Sequence, residues 1–293
     1  MSAPRRRRRT TPRDRAGTPR LLRWPRRAAR QRWLRRLRQL RRAPVALRLL
    51  IGVLLVAGVA LAVNGVYQVV RKPTELFFPV SGVLAKTPQE SWREYGPAFR
   101  RYATPAIAPE LLAALAQVEG SGNPLVRTYW RWSWAPGLFD LYRPASSAVG
   151  MYQITDGTFA EARHYCIHHH ALTHEGPWND WHSCWFNGLY LRIVPRDAIE
   201  LTAAYLDLKV NAILAHDLRH SASVLQRQHL AAVVHLCGAG AAAVYAQRGF
   251  RLADGERCGA HDPREYLRRV DEMRGVFTRL AHAEGDDAAV ALQ

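Results

Sequence analysis

Wherever apolar positions in this chain recur with a period, the period is helical. Residues 49–70, LLIGVLLVAGVALAVNGVYQVV, contain no charged residue. At 1.5 Å per residue they reach roughly 33 Å, enough for a hydrocarbon core of about 30 Å. The pattern predicts a membrane-crossing helix over 45–70. Behind Pro109, the residues Leu111, Leu112, Leu115, Ala116 and Val118 repeat at helical spacing, and Gly120, Gly122 and Pro124 stop the run. Thr158-Phe-Ala-Glu161 reads as a capping box, with Phe159 and Ala162 facing inward. Residues 195–220 open on Pro195 and carry Ile199, Ala203, Leu206, Val210, Ile213 and Leu214 on one face, the signature of a long buried helix. Residues 225–236 and 239–247 are rich in Ala and Val and break at Gly238. Residues 263–280 begin at Pro263 and carry Tyr266, Val270, Met273 and Phe277. Strand signals are scarce, so the fold class is mostly α.

Charge changes this picture only at one end. The net charge of +18 suggests a nucleic-acid binder until it is mapped: residues 1–48 hold 19 of the 42 Lys and Arg and one of the 24 Asp and Glu. The whole excess therefore sits in the first 48 residues, nearly all of it in an Arg-rich tail, 1–44, and the remainder beyond residue 48 is neutral. Residues 28–42 predict a basic helix with Trp33, Leu34, Leu37 and Leu40 on its apolar side, suited to anionic lipid. The positive-inside rule puts this tail in the cytoplasm and residues 71–293 on the far side of the membrane, which favours lipid over nucleic acid as the tail's partner. The competing reading is a signal peptide cut near Ala60-Leu61-Ala62; the long segment before it favours an uncleaved anchor. Residues 71–105, with Pro73, Pro79, Pro88, Pro97 and Pro105, read as a linker, and 281–293 as a C-terminal tail.

The four cysteines, Cys166, Cys184, Cys237 and Cys258, all come after the apolar segment. An even count on one side of a membrane indicates two disulfides in an oxidising compartment. Three pairings are open; Cys166 with Cys184 and Cys237 with Cys258 each close a local loop. The neighbouring His164, His168, His169, His170, His174 and His182 offer a rival zinc site with Cys166 and Cys184, but no ligand spacing supports it.

The candidate chemistry gathers at Glu119, the last carboxylate of the 109–120 helix. Helix C-terminal carbonyls and apolar neighbours both oppose a negative charge there, as a general acid requires. Three segments in order, Glu119-Gly-Ser-Gly-Asn-Pro124, Gly150-Met-Tyr-Gln-Ile-Thr155 and Val234-His-Leu-Cys-Gly-Ala-Gly240, resemble motifs of the soluble-lytic-transglycosylase-like family. His261-Asp-Pro-Arg-Glu-Tyr266 resembles the helix that comes next in the family. The resemblance covers about residues 106–280. It implies a lysozyme-like helical domain that acts on peptidoglycan glycan strands in the periplasm, tethered to a bacterial inner membrane, and it implies neither metal nor organic cofactor.

Carried over position by position, the resemblance makes Glu119 the catalytic acid and then base. Ser121, Gly150, Tyr152, Gln153, His235 and Tyr266 become substrate-binding or orienting residues. Gly120 replaces the usual Ser, Tyr152 the usual Met, and His235-Leu236 the usual Tyr-Asn. Asp140, Asp156 and Glu161 are held in reserve as a second carboxylate, which would favour hydrolysis. The run Tyr129-Trp-Arg-Trp-Ser-Trp134, with Phe139 and Tyr142, suits stacking on sugar or covering the core. Trp178, Trp181 and Trp185 are expected to pack around the Cys166 loop. Competing readings are a lysozyme-like hydrolase and a catalytically silent peptidoglycan-binding scaffold.

Overall fold

The computed structural model describes residues 43–72, 75–76, 82–126, 128–133, 142–180, 183–216 and 222–290. The chain divides into two compact units, residues 1–60 and 61–293. Residues 1–42, with the basic helix expected in them, lie outside the described residues.

Helix α1 (Val45–Arg71) is 27 residues long. In the first unit it turns its apolar side chains outward, Val53 at 65% and Val56 at 70% exposure. A helix that is apolar all round and uncovered by protein belongs in lipid. Val224–Gln247 is also long and apolar, but it is less apolar than α1 and nearly half of its most apolar stretch is buried in protein, whereas none of the corresponding stretch of α1 is, which makes α1 the stronger candidate membrane helix.

The second unit is mostly helical and is built around α3 (Pro109–Gly120). Leu111, Leu112, Ala113, Ala114 and Leu115 are all fully buried, because neighbours cover the helix on more than one side. These neighbours are α2 (Pro88–Tyr102), α5 (Pro195–His216) and α7 (Pro263–Val290). Helix α5 also packs on α6 (Val224–Gln247) and on α4 (Asp156–Ala162). Gly238 interrupts α6 with φ 81°, ψ 167°, the break expected from the sequence.

Helix α2 corrects the expectation of a linker over 71–105. Thr87 and Glu90 cap it reciprocally, and Pro88 sits in the first turn, where its missing N–H costs nothing. Trp92, Tyr95, Phe99 and Tyr102, spaced by three, four and three residues, form a stripe no more than 6% exposed. Proline density masks that stripe in the sequence. The expected tail 281–293 is likewise a continuation of α7 through Val290. Glu284 accepts from Trp92 Nε1 at 3.0 Å and pairs with Arg100 at 2.9 Å, tying that continuation to α2. The cap of α4 is Thr155, accepting from the Thr158 N–H, so the capping box expected at Thr158 lies three residues too late. Ala162 is buried as expected.

Two antiparallel hairpins complete the unit. In the first, β1 (Trp130–Trp132) pairs with β2 (Tyr142–Pro144), with Arg131 opposite Arg143. In the second, β3 (Tyr165–His168) pairs with β4 (Ala171–His174) through His169 and His170, both left-handed at φ 50° and 63°. This double positive-φ turn matches the right-handed twist of the strands it joins. The disulfides are Cys166–Cys184 and Cys237–Cys258, with Cα separations of 5.3 and 5.2 Å. They are the two local pairings, and the first removes both sulfur ligands from the zinc alternative; His182 lies outside the described residues. The oxidising compartment fits these bridges. Trp178 is 71% exposed, so it does not pack around the Cys166 loop as expected; Trp181 lies outside the described residues.

Candidate active site

Four local structures converge at the C-terminus of α3. The helix ends on Gly120, and Ser121 caps it in the left-handed region (φ 50°, ψ 39°) with its N–H donated to Gln117 O. Left-handed residues close helices because they turn the next amides back onto the orphan carbonyls. Against this end lies the turn 150–153, closed by reciprocal bonds between Val149 and Ile154 at 3.1 and 3.0 Å. A Cβ at position 120 would stand 2.9 Å from Met151 Cα and O. That contact explains glycine where the resembled family has serine, since only glycine lets helix and turn approach so closely.

The broken helix α6 supplies His235, and the first turn of α7 supplies Tyr266. Asp262 organises that turn by accepting from the Arg264 N–H at 2.8 Å. Tyr266 is 6% exposed and donates its hydroxyl to Glu119 Oε1 at 2.6 Å. His235 Nε2 stands 3.7 Å from the same oxygen. The Glu119 side chain keeps 19% of its surface exposed, and Oε2 has no hydrogen-bond partner among the described residues. The carboxyl group is thus fixed through one oxygen and open at the other, the arrangement needed to pass a proton to a bound molecule.

Electrostatics reinforce this division. Burial, with the nearby Glu119 carboxylate adding to it, pushes the Tyr266 phenol well above its usual range, so it stays protonated and remains a donor. Burial also lowers the His235 pKa against the opposing pull of Glu119, so the imidazole is neutral at neutral pH. A histidine held neutral by the fold binds fewer protons than it does unfolded over the interval between its two pKa values. Stability is therefore present above the ordinary histidine value near 6.5 and is lost as pH falls through the lowered folded value. Melting temperatures measured from pH 8 to pH 5 are expected to drop more steeply for the wild type than for His235→Gln. Parallel curves would remove His235 as the source.

The structure sorts the remaining candidates. Tyr152 is a correction: it is fully buried and its hydroxyl donates to Leu112 O at 3.0 Å, so it supports the site and meets no substrate. Its ring meets His235 edge-on at 6.4 Å. Gly150 is set by the backbone of the turn. It has φ 78°, and a Cβ there would lie 2.3 Å from Arg192 O, which makes it a backbone requirement of the turn. Gln153, left-handed at φ 48°, spends its amide N–H groups on Val126 O at 3.2 Å and Gly150 O at 2.9 Å. Ser121 is exposed beside Glu119 in the chain, with its backbone N–H and C=O engaged in hydrogen bonds.

The reserve carboxylates lie elsewhere: Asp156 pairs with Arg192 at 2.8 Å and Glu161 pairs with Lys209, while Asp140 lies outside the described residues. Among the described residues, the aromatic run bonds away from this site. Trp130 donates to Glu75 at 2.8 Å, and Tyr142 O accepts from Asn64 of α1 at 2.6 Å; Trp134 and Phe139 lie outside the described residues.

Sequence reasoning missed Arg269, whose Nη2 donates to Val118 O at 3.3 Å. It places a cation on the carbonyl end of α3, one helical turn beyond Tyr266, and that spacing was the available signal. No protein-family model matches the chain, and a comparison with curated proteins found no match.

Proposed function

We propose that the second unit is a lysozyme-like domain that cleaves peptidoglycan glycan strands as a lytic transglycosylase. In this reading α1 anchors it to a bacterial inner membrane with the domain in the periplasm. The observation that carries the reading is one carboxylate, Glu119, held at Oε1 by a phenol that stays protonated and accessible at Oε2, with the reserve carboxylates Asp156 and Glu161 committed to cations elsewhere. Hydrolysis with two carboxylates needs a second such group across the bond. One carboxylate suffices if the sugar supplies its own nucleophile.

The steps balance with Glu119 alone. Its acid form donates the Oε2 proton to the glycosidic oxygen as the bond from C1 of N-acetylmuramic acid to that oxygen breaks. The C6 hydroxyl of the same sugar then attacks C1, forming the 1,6-anhydro ring and returning its proton to Glu119. No net proton and no water is consumed. The Tyr266 hydroxyl holds the carboxyl rotamer through both transfers, and His235, kept neutral by burial, flanks it.

Mass analysis of products released from purified sacculi tests this reading. Fragments one water lighter than the reducing-end sugars are expected. Reducing-end products would assign a hydrolase, and retained binding with no release would assign a silent binding module.

A further inference from the structure

The disulfide Cys237–Cys258 stands next to both side chains that flank Glu119 Oε1. Cys237 closes the first half of α6, in the turn that carries His235 and immediately ahead of the break at Gly238. Cys258 closes a small turn with His261, their N–H and C=O groups bonded reciprocally at 3.0 and 3.1 Å. Asp262 follows and caps the first turn of α7, its carboxylate accepting from the Arg264 and Glu265 N–H groups at 2.8 and 3.3 Å. From that turn Tyr266 donates to Glu119 Oε1 at 2.6 Å, while His235 Nε2 stands 3.7 Å from the same oxygen. One covalent bond therefore ties the element that supplies His235 to the element that supplies Tyr266.

Both elements are discontinuous where the bond joins them. Gly238 leaves helical geometry at φ 81°, ψ 167°, and the chain from Arg248 to Asp262 makes turns and a single β-bridge but no helix or strand. Away from the bond they are fixed: Leu230 and Ala231 in α6, and Val270 and Phe277 in α7, are at most 1% exposed. Loss of the tether frees the ends that face Glu119 and leaves the core packing in place. The other bridge has no such reach. Cys166–Cys184 joins β3 to the 3₁₀ turn Cys184–Leu189, and neither carries a residue bonded to Glu119.

Accessibility separates the two bridges in the same direction. Cys166 and Cys184 are 2% and 1% exposed, whereas Cys237 and Cys258 are partly exposed. Thiol–disulfide exchange requires a thiolate to reach one sulfur, so the more open bridge reacts first. We propose that Cys237–Cys258 is a redox-sensitive tether that holds His235 and Tyr266 on Glu119, and that its reduction by a dithiol slackens the site without unfolding the domain. One thiolate of the dithiol attacks a sulfur of the bridge to give a mixed disulfide, and the second thiol resolves it. Two electrons and two protons reach the chain as two cysteine thiols, and the dithiol leaves as its own disulfide. The proposal rests on the reading of Glu119 as the reacting group and not on which bond Glu119 breaks.

The full chain in mild detergent, treated with graded dithiothreitol, alkylated and mapped by peptide mass spectrometry, tests it. Cys237 and Cys258 are expected to be labelled while Cys166 and Cys184 remain bridged. At that point hydrogen exchange is expected to rise over residues 234–240 and 258–267 and to stay unchanged over 109–116 and 198–210. Release of fragments from sacculi is expected to fall at least about tenfold and to return on reoxidation, while the amount of chain bound to sacculi stays the same. Cys237→Ser with Cys258→Ser is expected to match the reduced wild type and to ignore the dithiol. Equal labelling of the two bridges, unchanged exchange beside Glu119, undiminished release by the reduced chain, or exchange that rises throughout the second unit would each overturn the proposal. Absence of release by the oxidised chain would end the glycan reading alone, and the exchange pattern would still decide the tether.

Discussion

Glu119→Gln is expected to lower release of glycan fragments from sacculi by about 10³-fold or more, while the melting temperature stays close to wild type. The expected loss is large because the proposed mechanism gives one group both proton transfers, each contributing on the order of 10²–10⁴. Folding is spared because the amide oxygen still accepts the Tyr266 hydroxyl and the side chain keeps its volume. Tyr266→Phe separates orientation from acidity. It leaves the carboxyl in place but frees Oε1 from its 2.6 Å donor, so a partial loss, roughly tenfold, is expected. Wild-type turnover by Glu119→Gln would require a different acid and would end the assignment.

Phe99→Ala in the full chain is expected to cost about 3–5 kcal/mol. Phe99 is fully buried and lies among Trp92, at 6.2 Å between ring centroids, and Tyr95, at 6.3 Å. The neighbouring helices cannot close over the vacated volume without moving α3, whose C-terminus carries Glu119. A loss of this size is a large share of the stability of an ordinary domain. By the same argument a chain starting at residue 106 is expected not to melt cooperatively, whereas one starting at residue 82 is. Equilibrium urea unfolding decides both points, and a two-state transition of unchanged midpoint in Phe99→Ala would show that α2 is dispensable.

The parts of the fold that are legible in the sequence are those set by local rules. The charge-free stretch that becomes α1, the stop of α3 at Gly120 and the interruption of α6 at Gly238 each come from hydrophobic period or glycine chemistry over a few residues. The disulfides come from short loops, with sequence separations of 18 and 21. Helix α2 is written just as locally, in the stripe Trp92, Tyr95, Phe99 and Tyr102, but Pro88 and Pro97 read as breakers. One of them is a favourable first-turn residue and the other is carried within the helix. The aromatic run around Trp130 is legible as important but not as to its partner, because stacking aromatics serve sugar, core and membrane interface alike.

By itself the sequence determined the helical class, the apolar span and the concentration of charge in one tail. These are properties of composition and of contacts a turn or two apart. Only the tertiary structure decided which residues stand beside Glu119. Tyr266 lies 147 positions away and reaches Oε1, whereas Tyr152, singled out on its motif, is turned inward to Leu112 O. It also decided that a glycine at position 120 serves the approach of Met151, and that Arg131 and Arg143 face each other across a hairpin. Side-chain direction depends on how whole elements pack against one another, and no pattern along a single element carries that information.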